Sequence, residues 1–325
     1  MEDTICESLD CYKESLALTL AKFTFYLLFD SPFDNPFYLG STLRGGFGFI
    51  FKKAVCPDEE RICKFCLLKN TCAYAYIFET PRTDTLKSSY RLSEYPHPYV
   101  IEPPLYDIYF APKNRLSFDL ILIGNAIKFL PYFVITFQEL GRVGIGNKRK
   151  KYIIEKIEDT FNNGAEIYQP NLNYYPPNFT IKRFSEIREE SKVYNKEILT
   201  LEFVTPTRIV VGNRLTSKIN FLLFIKSLLR RISLISQIHC NNILPFSYLP
   251  LLEMASKVET INSDINWIDW ERYSSRQKRR IKLGGFVGKI TFEEGWNNFS
   301  PFIKLGEYIH IGKGTSFGLG KYEIL

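Results

Sequence analysis

Residues 309–325 read IHIGKGTSFGLGKYEIL, a glycine-rich turn between two short apolar stretches. Glycine adopts positive φ and lets a second backbone approach closely, and lysines beside exposed backbone amides attract anions. The turn contains Gly312, Gly314, Gly318 and Gly320 together with Lys313 and Lys321. It has neither the Gly-Lys-Ser/Thr ending of a Walker loop nor the spacing of a dinucleotide fingerprint. Two interpretations stay open on this pattern alone, a cradle for a phosphate backbone and a tight structural hairpin.

Two runs of cations accompany aromatic or glycine-rich segments elsewhere in the chain. The first run follows the glycine-rich turn of residues 141–147 and consists of Lys148, Arg149, Lys150 and Lys151. The second run holds five cations and no acid, namely Arg276, Lys278, Arg279, Arg280 and Lys282. Trp267, Trp270 and Tyr273 precede it and are candidates for base stacking. Because the chain also carries a net charge of +7, we expect both runs to contact nucleic-acid phosphates.

The overall composition is that of a globular protein with two domains. Hydrophobic residues make up 45% and charged residues 24% of the 325 positions, so each half can bury a core. Charged residues interrupt the two most apolar stretches, Leu16 to Phe29 and Leu116 to Phe137, so neither has the pattern of a membrane span. The acidic start, Met1 to Thr4, has no pattern of a secretory signal. These features predict a cytoplasmic protein with no membrane partner.

Hydrophobic periodicity predicts the same order of elements in both halves. In the first half it predicts a strand at 16–29, a helix at 41–55, a strand at 116–123, a helix at 129–140 and a strand at 152–157. In the second it predicts a strand at 199–204, a helix at 221–235, a strand at 285–292 and a short helix at 299–306. The polar residues 160–195 are predicted to link the halves.

Each half thus reads strand, helix, strand or strands, helix, glycine-rich turn and strand. This order suggests an α+β protein of two tandem ferredoxin-like (RRM-like, βαββαβ) domains. We place the N-terminal domain at residues 1–190, with a cysteine-rich, metal-binding insertion at 56–72. The C-terminal domain is placed at residues 191–325 and contains the glycine-rich turn. One face of such a sheet is free of helices, and single-stranded RNA can lie against it.

Four of the seven cysteines fall in one short segment with the spacing C-x6-C-x2-C-x5-C. They are Cys56, Cys63, Cys66 and Cys72. Four soft ligands so close together favour a structural tetrahedral zinc ion over disulfides. An iron–sulfur cluster uses the same ligands, and a set of reduced thiols is the third interpretation. A metal here would pin the loop after the first helix.

Several of these segments resemble the CRISPR-associated endoribonucleases of the RAMP superfamily that cut precursor CRISPR RNA within its repeats. The most specific match runs from His310 to Tyr322 and looks like the C-terminal glycine-rich loop of that family. Further support comes from Leu199 to Arg208, Leu229-Arg230-Arg231, Leu283 to Gly288, Leu43 to Gly46, the cysteine segment through Tyr74 and Phe78, and Gly144-Ile145-Gly146. The resemblance implies two ferredoxin-like domains and RNA cleavage without a metal, through attack by a ribose 2′-hydroxyl that leaves a cyclic phosphate and a 5′-hydroxyl. CRISPR repeat RNA, and with it subunits of an effector complex, are the implied partners.

The candidates for this chemistry start from the three histidines, His97, His239 and His310. In the family the general base is commonly a histidine on or near the first helix, and the helix predicted at 41–55 has none. His97 lies in a proline-rich loop and His239 at the end of a helix, where capping or solvent exposure is the simpler account. Strand alternation would turn His310 toward the glycine-rich turn, which makes it our candidate base, with a structural hydrogen bond as the other interpretation.

Four further residues are candidates for orienting groups or for stabilising charge in the transition state: Tyr38, Arg44, Lys52 and Lys313. The leading hypothesis is a CRISPR repeat RNA endoribonuclease. Because the first helix lacks a histidine, a second hypothesis is a related RAMP subunit that binds crRNA without cutting it. A zinc-stabilised RNA-binding protein outside CRISPR immunity is the third.

Overall fold

The computed structural model describes residues 13–33, 38–58, 62–80, 95–105, 113–170, 178–194, 196–243, 248–274 and 279–325. The chain forms two compact units. The N-terminal unit is Leu20–Ile181, and the C-terminal unit is Lys182–Leu325 with the described part of Met1–Thr19. The sequence predicts the boundary near residue 190, whereas the structure groups the segment from Lys182 onward with the C-terminal half.

The N-terminal unit is an antiparallel sheet with two helices on one face. Its strands are β1 (Thr19–Phe33), β2 (Tyr99–Glu102), β3 (Lys113–Ile123), β4 (Tyr152–Asp159) and β5 (Ala165–Tyr168), and its helices are α1 (Leu39–Val55) and α2 (Leu130–Val143). Shorter helical turns lie at Cys63–Phe65, Ala75–Glu79 and Gly124–Phe129, the second of them a π-helix. The strand order is β2-β3-β1-β4-β5, so β1 lies at the centre of the sheet.

The core of this unit explains why the helices form where they do. Alternation along β1 sends Phe23, Phe25 and Leu27 to the helix-covered face. There Phe47 of α1 stacks on Phe133 of α2, with 4.6 Å between ring centroids. The first turn of α2 contains a proline, which a helix accepts there because the first N–H groups have no partner within the helix. The helices predicted at 41–55 and 129–140 are thus confirmed.

The C-terminal unit repeats this arrangement with additions. Its helices are α3 (Phe184–Ser191), α4 (Phe221–His239), α5 (Leu249–Ala255) and α6 (Ser300–Ile309), with 3-10 turns at Asn297–Phe299 and Thr315–Phe317. Its strands are β6 (Lys182–Arg183), β7 (Leu199–Thr207), β8 (Ile209–Val211), β9 (Arg214–Thr216), β10 (Thr260–Ile268), β11 (Glu271–Ser274), β12 (Arg279–Lys282), β13 (Gly285–Phe292) and β14 (Tyr322–Ile324). The main sheet has the order β10-β13-β7-β14, while β8 with β9 and β11 with β12 form separate hairpins.

Packing of α3 against α6 explains where the C-terminal unit begins. Phe184 of α3 stacks on Phe302 of α6 with 5.8 Å between ring centroids, and both side chains are buried. The burial of these apolar faces holds the segment from Lys182 onward to the C-terminal unit. The protein is therefore a mixed α+β protein with antiparallel sheets, as predicted. In the described part of the chain, no helix has the length and apolar character needed to cross a bilayer.

Candidate functional site

The glycine-rich turn forms the loop between α6 and β14 and folds against the end of β7. The Lys313 N–H donates to the carbonyl of Arg208 at 2.9 Å, and the Gly320 N–H donates to that of Pro206 at 3.2 Å. The Thr205 hydroxyl donates to the Gly318 carbonyl at 2.8 Å. Gly320 has a φ of 76°, and a Cβ there would overlap the backbone of the opposite side of the loop. This glycine is therefore required by close backbone approach.

The outer part of the loop faces solvent. Lys313 is exposed, Gly312 and Gly314 on either side of it are partly exposed, and the residues from Gly318 to Gly320 are buried. Gly312 and Gly314 both have φ of 81°. The inner half of the loop is thus buried, whereas at the tip the Lys313 side chain reaches solvent between two partly exposed glycines while its own N–H is bonded to Arg208. The tight structural hairpin thus describes the buried half of the loop, and a phosphate cradle at its tip stays a prediction.

His310 lies elsewhere than strand alternation predicts. It ends α6, with φ 61° and ψ 175°, and its side chain is 0% exposed. Nδ1 lies 3.1 Å from the Leu319 carbonyl, so the imidazole ties the helix end to the loop. His310 thus lies against the glycine-rich turn, but it ends a helix that continues to Ile309 instead of alternating along a strand, and it is buried together with both neighbouring isoleucines. The catalytic role of His310 stays a prediction that this burial does not favour.

A buried arginine also closes this helix end. Arg231 of α4 is 7% exposed, and its Nε donates to the Ile309 carbonyl at 2.9 Å. Burial lowers its pKa to about 9. The carbonyl it caps is one of the last of α6, which have no partner within the helix. Arg231 and His310 together hold the loop to the end of α6.

In the N-terminal unit the structure joins Arg44 to a histidine that the sequence analysis set aside. Nη2 of Arg44 lies 3.1 Å from Nε2 of His97, across 53 residues of sequence. The Arg44 guanidinium lies over the ring of Phe78, 4.2 Å from its centroid. His97 stacks between Phe78 and Tyr99, with centroid distances of 6.3 and 5.9 Å. Both Arg44 and His97 are partly exposed, so solvent reaches this pair.

Thr80 holds the other side of the same imidazole. Its Oγ1 lies 3.1 Å from Nδ1 of His97 and also donates to the Tyr76 carbonyl at 3.3 Å. Thr80 has the left-handed conformation, φ 46° and ψ 69°, directly after the π-helix Ala75–Glu79. A β-branched residue at positive φ is a strained outlier, and single-turn π-helices are frequent at functional sites. The sequence signal for this site was the histidine between Pro96 and Pro98, two residues that restrict the backbone.

Lys52, the other candidate on α1, lies apart from this pair. Tyr38 precedes α1 and is 7% exposed. Lys52 stands eight positions after Arg44, a distance of about 12 Å along the helix axis. Lys52 lies near Cys63 instead. Burial and the charge of Glu79 raise the pKa of the Cys63 thiol, and the positive charge of Lys52 offsets only part of this increase. The structure therefore brings Arg44, but not Lys52, to the histidine.

The described cations of the first run lie on a tight turn and those of the second on a strand, and most of them are exposed. Gly144 and Gly146 have positive φ and allow the tight turn from Ile145 to Lys150, whose backbones pair in both directions. Lys148, Arg149 and Lys151 are exposed, and the Lys150 ammonium donates to the Ser31 hydroxyl at 2.7 Å. Arg279, Arg280 and Lys282 are exposed on β12. Arg276 and Lys278 lie outside the described residues.

The helix-free face of the N-terminal sheet is not cationic. Its ion pairs join Lys22 to Glu102 and Asp119 at 3.0 and 2.9 Å, and Arg115 to Glu155 at 2.7 Å. Lys156 pairs with Glu158, which also accepts from the Tyr26 hydroxyl. Each of these cations thus has a carboxylate partner, so the part of this face that the structure describes lacks the excess positive charge of a surface that follows a phosphate backbone.

In the structure the four cysteines Cys56, Cys63, Cys66 and Cys72 are not grouped as the ligands of one metal ion. Among the residues that the structure describes, no group of three or more histidine, cysteine or acidic side chains is arranged to hold a metal ion. The Cys56 thiol donates instead to the Asp58 carbonyl at 3.0 Å. Burial, with the charge of Glu79, raises the pKa of the Cys63 thiol in the metal-free protein. The structure gives the predicted metal no support, and zinc stays a prediction from spacing.

Two family models match the chain, one on each side of the boundary between the two units at Lys182. A family model described as CRISPR-associated endoribonuclease Cas6 matches residues 201–322, and a model described as an N-terminal domain matches residues 18–179. An uncharacterized protein of Archaeoglobus fulgidus is 25% identical over 319 residues, which cover 95% of this chain and 98% of that protein. The Cas6 match contains the glycine-rich loop, most of β7 and Arg231.

Solved structures share the fold over nearly the whole chain. A Thermus thermophilus Cas6 is 15% identical with a TM-score of 0.55, covering 95% of this chain and 99% of its own. A Cas6 product complex is 17% identical with a TM-score of 0.56, covering 94% and 99%. A partial Cas6-RT-Cas1--Cas2 complex is 14% identical with a TM-score of 0.59, covering 95% of this chain and 46% of that one. The resemblance found in the sequence is thereby confirmed: residues 201–322 match the Cas6 endoribonuclease family, and the chain shares its fold with Cas6 proteins.

Proposed function

We propose that this protein cuts precursor CRISPR RNA within its repeats. The observation that carries the proposal is the agreement between the Cas6 match and the loop at its end, whose inner half is pinned to β7 and whose tip exposes Lys313. Partly exposed backbone beside a lysine suits a phosphate. One Cas6 structure of the same fold is a product complex, which is in keeping with RNA cleavage.

The two units are proposed to be tandem ferredoxin-like domains. In each sheet the first strand lies between the third and the fourth, and the second strand lies beside the third. The N-terminal order is β1, α1, β2, β3, α2, β4, and the C-terminal order β7, α4, β10, β13, α6, β14 follows the same pattern. The repeated βαββαβ order supports this proposal.

Cleavage is proposed to proceed by attack of a ribose 2′-hydroxyl on the adjacent phosphate, leaving a cyclic phosphate and a 5′-hydroxyl. Such a reaction needs a group that takes the proton of the nucleophile and cations that stabilise the phosphorane. The exposed cations near residues 148–151 and 279–282 are proposed to hold the RNA backbone. Lys313, at the tip of the glycine-rich loop, is proposed to bind an RNA phosphate there.

A cleavage assay tests the proposal directly. The purified full chain is incubated with a 5′-labelled repeat RNA in EDTA, beside the same RNA with a 2′-deoxy substitution at the cleavage position. We expect one cleavage site, a cyclic phosphate at the new end, and no cleavage of the substituted RNA. A scrambled RNA of the same length serves as the control for specificity. Intact repeat RNA after complete binding would contradict the proposal.

A second candidate function is a Cas6-like subunit that binds crRNA without cutting it and hands it to an effector complex. The observation in its favour is that α1 has no histidine, while His310 is buried. The same assay separates the two functions, because a binder retards the repeat RNA in a gel and leaves its length unchanged.

A structural zinc ion at the cysteine segment stays a proposal on spacing alone, and no step of cleavage passes through it. Elemental analysis of protein expressed with zinc and iron in the medium decides between zinc, an iron–sulfur cluster and no metal. Replacement of Cys63 and Cys66 by Ser should remove any bound metal and lower the Tm. Protein without metal under these conditions would end the proposal.

A further inference from the structure

The hydrogen bonds around His97 assign its proton. A guanidinium has only donors, so the Arg44 Nη2 that lies 3.1 Å from Nε2 must donate to it. Nε2 therefore presents a lone pair, and the ring is the neutral tautomer with its proton on Nδ1. That proton points to the Thr80 hydroxyl at 3.1 Å, and the hydroxyl donates its own proton to the Tyr76 carbonyl. Every donor in this chain of hydrogen bonds meets an acceptor.

The surroundings hold this arrangement in place. The imidazole is stacked between two aromatic rings, those of Phe78 and Tyr99, which limits its rotation. The Arg44 guanidinium lies over the face of the Phe78 ring, 4.2 Å from its centroid. Thr80 stays in a strained backbone conformation with its hydroxyl toward Nδ1 and its amide donating to the Ala75 carbonyl at 2.7 Å. Strain of this kind persists only where the neighbouring structure imposes it.

An RNA phosphate would change the partner of Arg44. A hydrogen bond from a guanidinium to a phosphate joins two opposite charges and is stronger than one to a neutral imidazole. The guanidinium is partly exposed, so a phosphate can reach it and draw it away from His97. The Nε2 lone pair that Arg44 occupied then lies beside that phosphate, which is where a 2′-hydroxyl must lose its proton.

We infer that His97 is the general base of the cleavage reaction, that Thr80 fixes its tautomer, and that Arg44 covers Nε2 until it binds the scissile phosphate. This inference rests on the proposed function. In the step itself, Nε2 takes the proton of the 2′-hydroxyl, the 2′-oxygen bonds to phosphorus, and the bond from phosphorus to the 5′-oxygen breaks. The leaving oxygen takes a proton from solvent, and the imidazolium returns its proton to solvent. His97 is then a catalytic residue and Thr80 a positioning residue.

Single-turnover cleavage at saturating protein, with binding measured separately on the 2′-deoxy RNA, tests each role. His97→Gln keeps a planar side chain that can bond to Arg44 and Thr80 but cannot take a proton. We expect it to lower the cleavage rate about 100-fold or more and to leave the Kd for the 2′-deoxy RNA unchanged. Added imidazole should restore part of the rate of a His97→Gly variant, whose ring site lies open between Phe78 and Tyr99.

Thr80 provides the positioning test. Thr80→Val keeps the shape but leaves Nδ1–H without its acceptor, and we expect a rate loss of about 10-fold or more that Thr80→Ser restores. Thr71→Val is the matched control, because Thr71 is an exposed threonine of the same segment whose hydroxyl donates to the Leu68 carbonyl. Equal rates for the two valine variants would overturn the role of Thr80.

A nitrogen NMR spectrum of the free protein gives a readout that does not depend on activity. We expect His97 as the neutral Nδ1–H tautomer, and Arg44→Gln should change its signals. A dominant Nε2–H tautomer would overturn the inference even if the protein cuts RNA. If wild-type protein cuts repeat RNA and His97→Gln cuts it equally fast, His97 is not the general base, while the proposed function stands. If wild-type protein does not cut repeat RNA at all, the proposed function falls, and the assignment with it.

Discussion

The ring of Phe78 fills a notch that Gly48 leaves in helix α1. A Cβ at position 48 would overlap the Phe78 ring, whereas a Cβ at Gly45, one turn earlier, would meet nothing within 4 Å. The same ring carries the Arg44 guanidinium on its face and stacks against His97. One glycine on the first helix therefore sets the position of the aromatic ring under the Arg44–His97 pair.

This relationship gives a matched pair of glycine variants. Gly48→Ala should destabilise the protein by about 1–3 kcal/mol, because the added methyl displaces a buried ring. Gly45→Ala should stabilise it by about 0.5–1 kcal/mol, since the helix gains alanine propensity in open space. Urea unfolding measures both. A similar stability for the two variants would show that Phe78 does not depend on the notch.

His310 should behave as a structural residue under backbone strain. Its φ of 61° and ψ of 175° fall in a region that essentially only glycine adopts. His310→Ala loses the hydrogen bond to the buried Leu319 carbonyl and keeps the strain, so we expect a loss of about 2–4 kcal/mol. His310→Gly loses the same bond but relieves the strain, and should be about 1 kcal/mol more stable than the alanine variant. Thermal unfolding compares the two, and an alanine variant more stable than the glycine variant would contradict strain at this position.

Because of Lys22, the free energy of unfolding should decrease at alkaline pH. Burial alone would lower its pKa, but attraction to Glu102 and Asp119 outweighs burial and raises it. A lysine whose pKa is higher in the folded protein contributes stability fully below the unfolded pKa, about 10.4, and loses that contribution as the pH rises further. Lys22→Met should cost about 3 kcal/mol at pH 8 because it leaves buried carboxylate charge unpaired.

The difference in unfolding free energy between wild type and Lys22→Met should stay constant to about pH 10 and shrink above it. Urea titrations at a series of pH values measure it. The double variant Lys22→Met with Glu102→Leu is the control, since replacing both partners by apolar groups should recover much of the loss. A difference that grows with pH would contradict the raised pKa.

The turn at residues 148–151 should contribute to the salt dependence of RNA binding. Replacing Lys148, Arg149 and Lys151 by Ser should reduce the slope of log K against log salt by about 0.7 for each single-strand phosphate that the variant no longer neutralises. Arg115→Gln is the control, because this arginine pairs with Glu155 on the ion-paired sheet face. Fluorescence anisotropy with the 2′-deoxy repeat RNA measures the slopes. A larger change for Arg115→Gln would place the RNA on the sheet face instead.

The sequence predicted the parts of this protein whose information is local. Apolar spacing predicted α1 and α2, and the strands β1, β3 and β7 follow from alternation, because helices and strands expose one face at a fixed period. The glycines of residues 312–320 predicted a loop with close backbone approach, and the segment from His310 to Tyr322 carried the resemblance to the Cas6 family. Lys148, Arg149 and Lys151 are exposed, and their predicted contact with RNA phosphates stays a prediction.

Only the tertiary structure decided what each histidine touches. The hydrogen bond between His97 and Arg44 spans 53 residues and exists because β2 pairs with β3 beside α1, which periodicity along the chain does not encode. His310 is buried because α6 runs one turn further than predicted and its end is closed by Arg231 from another helix. Side-chain partners are set by which elements pack together, since packing joins residues that are distant in sequence. The glycine-rich turn was thus visible in the sequence, while its division into a buried, pinned half and an exposed, cationic tip was settled by the strand it packs against.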